Sequence, residues 1–579
     1  MLRQPLAVLG LGLGLLLGVG TPGALAQLPA ARARATAAKT ELILIDGRAI
    51  ARRNPFLPAA QAAPAPTGSS APTGSQAPTG TPAPTGTPAA HAAATGPTVS
   101  AVLAALEQTG AITPDQHAQY LSQYEQAKHS LAKLRGTRQV ELGAVLVNLA
   151  AIAAGELIPS RLPALFQTVQ RNQQWWTTGP LLSNGQRVGF PGSRLVWEYY
   201  PGQGIEIQWL ATFGVANGYW TNGHENADLQ SLLDEVLPLA SQRAGGLAWE
   251  YLFRFDGGLP PWTSGLSQGT AIQALARGFT RLGDSAMQNA AAQALGIFQI
   301  PPPEGVRDAT PAGAEYLEYS FAPGEHILNG FVQALVGLYD YTQLTGDQLG
   351  QQLFEAGDAQ ARTEVPAYDT GAWSLYDQSS ESDLSYHELL TQFLTGLCQR
   401  TSAQLVPGPA QPPATATPTG STSAGGTPPT GANPDGVYCT TASHFTAYLT
   451  QPPILALVAT HLVGGRAGAL RVSLSKISNV TLTVRAGTKV LFSDTGQLGH
   501  GDPSMTWTPP AHAGVYRVSI TATDLAGNHA QAQGTVTVSA PPKHNRRRRS
   551  SGHSKPPSSA PPSGGTAPST GGTAPPPGT

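Results

Sequence analysis

Charge is scarce in this sequence. Lys, Arg, Asp and Glu make up 12% of its 579 residues, against roughly 25% in ordinary globular domains. The 34 basic and 35 acidic residues leave a formal net charge of −1, which gives no basis for a nucleic acid partner. Cysteine is nearly absent: Cys398 and Cys439 are the whole supply, and a pair suits a compartment in which a disulfide persists. Long apolar runs are confined to the start, "MLRQPLAVLGLGLGLLLGVGTPGALAQ". A short basic head, an apolar stretch and "ALA" at 24–26 read as a signal peptide over 1–26. The run is barely of membrane-spanning length (roughly 20 residues needed), so a retained anchor stays open beside cleavage. No later stretch is expected to span a membrane, which places the mature chain outside the cytoplasm of a bacterium, secreted or associated with the cell envelope.

What the chain has in quantity is glycine and proline, 66 and 51 residues, concentrated in three tracts. Residues 27–96 read as a disordered linker rich in Pro, Thr, Gly and Ala, with Pro-Thr-Gly recurring at 66, 72, 78 and 84. The repeat region, 62–96, holds no large apolar residue and cannot bury surface, so it spaces other parts. A second tract reads as a disordered insert over 402–436. A third, 541–579, begins basic, with "KHNRRRRSSGHSK", and ends in Ser, Pro and Gly. Its four arginines suit anionic wall polymers; a solvated tail is the plainer alternative.

Between the tracts, residues 97–450 carry helical periodicity. Thr113 followed by Pro114 has the form of a helix cap. Ala271, Leu275, Phe279 and Leu282 share one helical face, as do Ile327, Leu328, Phe331, Leu335, Leu338 and Tyr339. Residues 187–220 alternate in β fashion and contain glycines, which predicts a small hairpin. "GQGIEIQWL" (202–210) is too sparse to be a nucleotide loop. Consecutive amphipathic helices without intervening strands predict a mainly α chain with an α/α toroid, or barrel, whose helix starts line one end. Residues 452–540 alternate apolar and polar positions between turn signals, which predicts an Ig-like β-sandwich; "DLAGN" and Tyr516 resemble bacterial modules of that type.

Four stretches in order resemble the C-terminal helical domain of D-glucuronyl C5-epimerases: "WTSGLSQGTAIQALARGF" (262–279), "EYSFAPGEHILNGFVQALVGLYD" (318–340), "YDTGAWSLYD" (368–377) and "SYHELLTQFLTGL" (385–397). The resemblance covers about 245–450. The family's last helix is matched by "CTTASHFTAYL" (439–449), beyond the Pro-rich insert. A Cys398–Cys439 bridge is then implied, pinning both ends of the insertion; two free thiols are the alternative.

Epimerisation at C5 of a uronate removes a weakly acidic hydrogen next to a carboxylate and returns it on the other face. Two proton-transfer groups must therefore oppose each other across the ring, and the charge that develops needs fixed partners. Tyrosines with a carboxylate serve in the family, and the matching positions are Glu318, Tyr319, Tyr376 and Tyr386. On this reading Glu318 and Tyr386 form the opposed pair, while Tyr319 and Tyr376 hold and polarise the uronate. Gln268, Asn329 and His387 are candidate substrate contacts. The expected partner is a uronate-containing polysaccharide, and no cofactor or metal ion is called for.

Each assignment has a packing alternative. Tyr339 and Tyr341 read as core or surface residues, His326 as a cap or packing residue, and Glu315 and Glu325 as solvated. One departure stands out. Where the family places arginine close after "YD", this chain has Gln378 and Ser379, and Glu381 and Asp383 would repel a polyanion; Arg254, Arg277 or His387 are the candidate substitutes. An isomerase inverting C5 of polymer uronates is the leading reading. A uronate polysaccharide lyase, sharing the first step, and a non-catalytic glycan- or wall-binding protein are the alternatives.

Overall fold

A computed structural model describes residues 39–45, 47–57, 96–403, 436–458 and 460–541. The expected signal peptide, the insert's interior, most of the first tract and the basic tail lie outside these residues. The described chain is mainly helical. Its helices are α1 (Val99–Gln108), α2 (Pro114–Lys133), α3 (Thr137–Gly155), α4 (Leu162–Thr178), α5 (Trp209–Asn222), α6 (Asn226–Val236), α7 (Gly265–Leu282), α8 (Ser285–Gln293), α9 (Leu328–Thr345), α10 (Gln348–Glu364), α11 (Leu384–Ala403) and α12 (Gly436–Tyr448). The cap at α2 is as the sequence implies. Thr113 Oγ1 accepts from Gln116 N–H, Gln116 Oε1 accepts from Thr113 N–H, and Pro114 needs no partner at the first position.

Helices α5, α7, α9, α11 and α12 contact one another in that order. The tightest approach is α7 on α9, where side chains are dispensed with. A Cβ on Gly269 would stand 2.6 Å from Ala334 Cα, and one on Gly337 2.0 Å from Gly269 O. Only glycine permits that backbone proximity.

Two corrections to the sequence reading concern the first third of the chain. Residues within the expected linker 27–96 form strands β1 (Thr40–Ile45) and β2 (Arg48–Arg53). They join β3 (Arg187–Gly189), β4 (Trp197–Tyr200) and β5 (Gly204–Ile207) in a sheet ordered β2-β1-β3-β4-β5. β1 runs parallel to β3, with Leu42 opposite Val188, so its pairing partner lies far along the chain. The predicted hairpin is β4–β5, turned at Gly202 and Gly204, both at positive φ (77° and 91°); the rest of that stretch, from Trp209, is helical. The second correction is α3, which has the length and composition of a membrane span. Its Leu142, Leu149 and Ile152 are buried in the core. Its Glu141 accepts hydrogen bonds from Tyr199 Oη and from the Gly202 and Gly204 amides, which ties it to the hairpin.

Two short hairpins follow, β6 (Ser241–Arg243) with β7 (Gly246–Ala248), and β8 (Arg307–Ala309) with β9 (Ala314–Tyr316). Residues 455–539 form two sheets. One holds β10 (Leu455–Leu457), β12 (Gly468–Leu474) and β15 (Ser504–Trp507); the other holds β11 (His461–Val463), β13 (Ser478–Ala486), β14 (Lys489–Leu498), β16 (Gly514–Asp524) and β17 (His529–Ser539). Alternate residues of both sheets, among them Leu470, Val472, Leu482, Trp507, Val518 and Val536, share one core.

This β-module is docked on the helices. Lys476 Nζ, nearly inaccessible, pairs with Asp524 at 2.7 Å and donates to the carbonyls of Tyr448 and Gln451. Asn528 Nδ2 donates to Leu449 O at 3.0 Å. From the other side, Glu381 accepts from the amides of Ile477 (2.9 Å) and His500 (2.8 Å).

The two cysteines are joined: Cys398 in α11 is bonded to Cys439 in α12, so both flanks of the insert are fixed to the helical core.

Candidate active site

Glu318 and Tyr319 are held by backbone bonding on both sides. Gly265 N–H donates to Leu317 O (3.0 Å), Leu317 N–H to Val306 O (2.9 Å), and Ser320 N–H to Thr263 O (3.0 Å). This anchors the segment against the start of α7. Gly330, in the first turn of α9, makes room for the carboxylate: a Cβ there would lie 2.6 Å from Glu318 Oε2. Tyr386 is placed by the start of α11, where Asp383 Oδ1 accepts from Tyr386 N–H at 2.8 Å.

These residues meet at a cavity of about 480 Å³ bounded by α5, α7, α9 and α11. Glu318, Tyr319 and Tyr386 line it. Tyr376 stands behind Tyr386, ring centroids 4.6 Å apart; its ring is outside the lining, and its buried hydroxyl has no hydrogen-bond partner. Glu318 Oε2 is likewise buried and unpartnered. A buried polar atom without a partner costs about 1–3 kcal/mol, so two of them at one place mark a site built to be completed by something else.

Electrostatics separate the carboxylate from the phenols. Burial raises the Glu318 carboxyl to about 8, against a downward pull from Tyr319 and a small upward push from Glu325. Burial also lifts Tyr319, Tyr376 and Tyr386 far above the ordinary phenol range, with the Glu318 charge adding to each. At neutral pH the phenols are therefore proton donors, and Glu318 is the member of the four that changes state near neutrality.

Two expected substrate contacts are corrected. Gln268 is fully buried, and its amide is spent on the backbone: Nε2 donates to Leu247 O (2.7 Å), and Oε1 accepts from Trp249 N–H (3.3 Å). His387 is also inaccessible. It stacks on Trp373 at 3.7 Å, and its ring nitrogens engage Ser374 Oγ (2.8 Å) and Phe445 O (3.0 Å). Burial pushes it down to about 4, so it is neutral and supplies no charge. Asn329, in the first turn of α9, is buried with both amide atoms unpartnered but is not part of the cavity lining.

The other expected cations are elsewhere. Arg277 is bound to Asp340 (2.7 Å) and Asn217 Oδ1 (2.8 Å), and Arg254 is exposed. The cavity's cations are instead Arg187 and Lys39, neither of them a candidate from sequence. Arg187 lies opposite Glu198 in the β3–β4 register, Nε to Oε2 3.2 Å. Glu198, Tyr200 and Tyr251 also face the space. The alternation of "VWEYY" points Glu198 and Tyr200 to one side, the one sequence signal that would have marked them. Glu381 is turned to the β-module and Asp383 caps α11; neither lines the cavity, although the Asp383 charge still acts on Tyr386.

Of the remaining residues, Tyr339 and Tyr341 are buried on α9, and Tyr339 Oη donates to Arg400 O (2.9 Å). Glu315, expected in solvent, is 1% exposed and contacts His326 Nδ1. His326 is thereby an ion-pair partner and not a cap.

The family described as D-glucuronyl C5-epimerase C-terminus matches residues 245–407. A D-glucuronyl C5-epimerase from Caenorhabditis elegans is 37% identical over 133 residues, 21% of this chain and 22% of that protein. An uncharacterized protein of Methanocaldococcus jannaschii is 28% identical over 138 residues, 23% of this chain and 45% of that one. The chain thus spans less than half the length of either relative. Among solved structures, a sugar epimerase from a ruminal bacterium aligns with a TM-score of 0.29 at 11% identity, over 42% of this chain and 58% of that one. An endo-beta-1,4-glucanase from Acetobacter xylinum aligns with a TM-score of 0.26 at 14% identity, over 35% and 65%. Scores this low carry no weight for the fold. The family match does carry weight, and it spans the segment that bears Glu318, Tyr319, Tyr376 and Tyr386: residues 245–407 are similar to the C-terminus of D-glucuronyl C5-epimerases.

Proposed function

We propose that this chain is an extracytoplasmic carbohydrate epimerase that inverts C5 of uronate residues in a polysaccharide, and that its helices form an α/α toroid around the catalytic cavity. The reading is carried by one observation: a buried carboxylate with a pKa of about 8 and one unpartnered oxygen shares a cavity with phenols held protonated. Ionised Glu318 takes the C5 hydrogen. Tyr386 returns a proton from the opposite face, Tyr319 steadies the carboxylate on which charge accumulates, and Tyr376 backs Tyr386 from outside the cavity lining. Arg187 and Lys39, which line the cavity, are on this reading the cations toward which the substrate's acidic group turns. The module at 455–539 reads as an Ig-like sandwich, and the basic tail as a wall-polymer contact.

The test is the full chain incubated with uronic acid polymers in deuterated water, with C5 label read by NMR. Label that Tyr386→Phe and Glu318→Gln each reduce by about 10²-fold or more supports the reading. Equal label in both variants overturns the residue roles. Unsaturated uronate absorbance identifies a lyase, and binding without exchange a glycan-binding protein; either result overturns the epimerase.

A further inference from the structure

Away from the cavity, Glu315, His326 and Glu364 form a second concentration of chemistry. Glu315 lies in β9, His326 just ahead of α9, and Glu364 is the last residue of α10. One oxygen from each carboxylate and one imidazole nitrogen all fall within 4.8 Å of one another. One oxygen of Glu315 meets His326 Nδ1. The other, Oε1, is buried with no hydrogen-bond partner, in a side chain that is almost wholly inaccessible.

The charges that act most on Glu315 are Glu364, His326 and Asp308. A single imidazolium cannot balance these acids, and it leaves Oε1 without a partner. A divalent cation would satisfy both deficits at once. Glu364 is itself oriented, as metal-bound carboxylates are: Gln360 Nε2 donates to it at 3.0 Å and Tyr368 Oη lies 3.2 Å away. Gln360 is fixed in turn by Thr310 Oγ1 at 2.8 Å.

We propose that Glu315, His326 and Glu364 bind one divalent transition-metal ion, Zn²⁺ by preference. An imidazole nitrogen with two carboxylates suits Zn²⁺, whereas Ca²⁺ and Mg²⁺ favour sites built from oxygen alone. His326 retains 26% side-chain exposure, which leaves solvent a path to the site. Glu315 and His326 bracket the segment that carries Glu318 and Tyr319, so the ion would clamp both of its ends and tie them to α10. Its part is positioning, not catalysis.

The test uses the full chain, stripped with chelator, dialysed and titrated with ZnCl₂. Bound zinc per chain is measured by mass spectrometry after desalting, and thermal midpoints are recorded with and without Zn²⁺, Ca²⁺ or Mg²⁺. The wild type should hold one equivalent more than His326→Asn and Glu364→Gln, and zinc should raise its midpoint by several degrees but not theirs. The comparison removes zinc held by the chain's other histidines, and Glu364, partly exposed at a helix end, offers a variant that keeps its fold. Equal zinc in all three chains overturns the proposal, as does a wild-type midpoint that zinc leaves unmoved. A midpoint raised by Ca²⁺ and not Zn²⁺ overturns the assigned class of ion.

Discussion

Glu318 concentrates the conflict between folding and chemistry. Its carboxyl is raised to about 8 because burial disfavours the charge and Tyr319 offsets only part of that cost. The sign follows from linkage. With the folded pKa above the unfolded value, the contribution to stability is fully present below about pH 4.5 and is lost as the pH rises through about 8. An amide of the same shape never ionises. Glu318→Gln should therefore match the wild type in thermal stability near pH 4.5 and exceed it increasingly toward pH 9, with a limiting difference on the order of 5 kcal/mol. Unfolding curves for both proteins at pH 5, 7 and 9 check this. A constant difference across that range would mean that the carboxylate is solvated. At the same scale, sequence reasoning named four residues, of which Glu318, Tyr319 and Tyr386 line the cavity, and did not name Arg187, Lys39 and Glu198, which line it too. Those three come from strands or from their approach, where a side chain's target depends on which distant strand it pairs with. Gln268 and His387 were misassigned for the opposite reason. They lie beside motif residues, but nothing local reveals that their polar atoms are already satisfied by backbone.

At the scale of elements, periodicity located α7 and α9 even though both are buried on every side over most of their length. Helices α7 and α9 fall where the spacing of Ala271, Leu275, Phe331 and Leu335 puts them. It failed for β1 and β2, because a short pair embedded in Pro- and Ala-rich sequence has no local signature of its parallel partner at Val188. The disulfide between α11 and α12 was legible only through the family resemblance. It closes a loop whose ends are 41 residues apart, which in the chain-entropy picture is worth roughly 3–4 kcal/mol. Cys439→Ser should consequently lower the thermal midpoint by several degrees, and reductant should lower the wild type by a similar amount while leaving the variant unchanged. A variant as stable as the wild type would show that packing of Phe445 and Tyr438 against the core holds α12 without the bridge.

At the scale of the molecule, the β-module behaves as part of the helical body. Lys476 and Asp524 are both almost inaccessible and 2.7 Å apart, and the same ammonium reaches the carbonyls of Tyr448, which ends α12, and of Gln451 just beyond it. It also lies 5.3 Å over the Trp373 ring, the ring on which His387 stacks one residue beyond Tyr386. Glu381 adds two backbone hydrogen bonds from the loop that leads out of Tyr376. A spacer joined by a flexible hinge would make few such contacts, and its unfolding would be independent. Removing one partner of a buried pair strands the other charge, at a cost of about 3–5 kcal/mol. In Lys476→Ala, Asp524 of the same module loses its cation and the carbonyls of Tyr448 and Gln451 lose their donor, so the cost is shared between the module and its contact with the helices. Calorimetry should accordingly record one cooperative transition for the wild type and two for Lys476→Ala. Asp524→Asn should fall between them, because an amide still accepts from the ammonium. Two transitions already present in the wild type would mean that the modules fold separately and that the β-module has no hold on the Tyr376–Tyr386 loop.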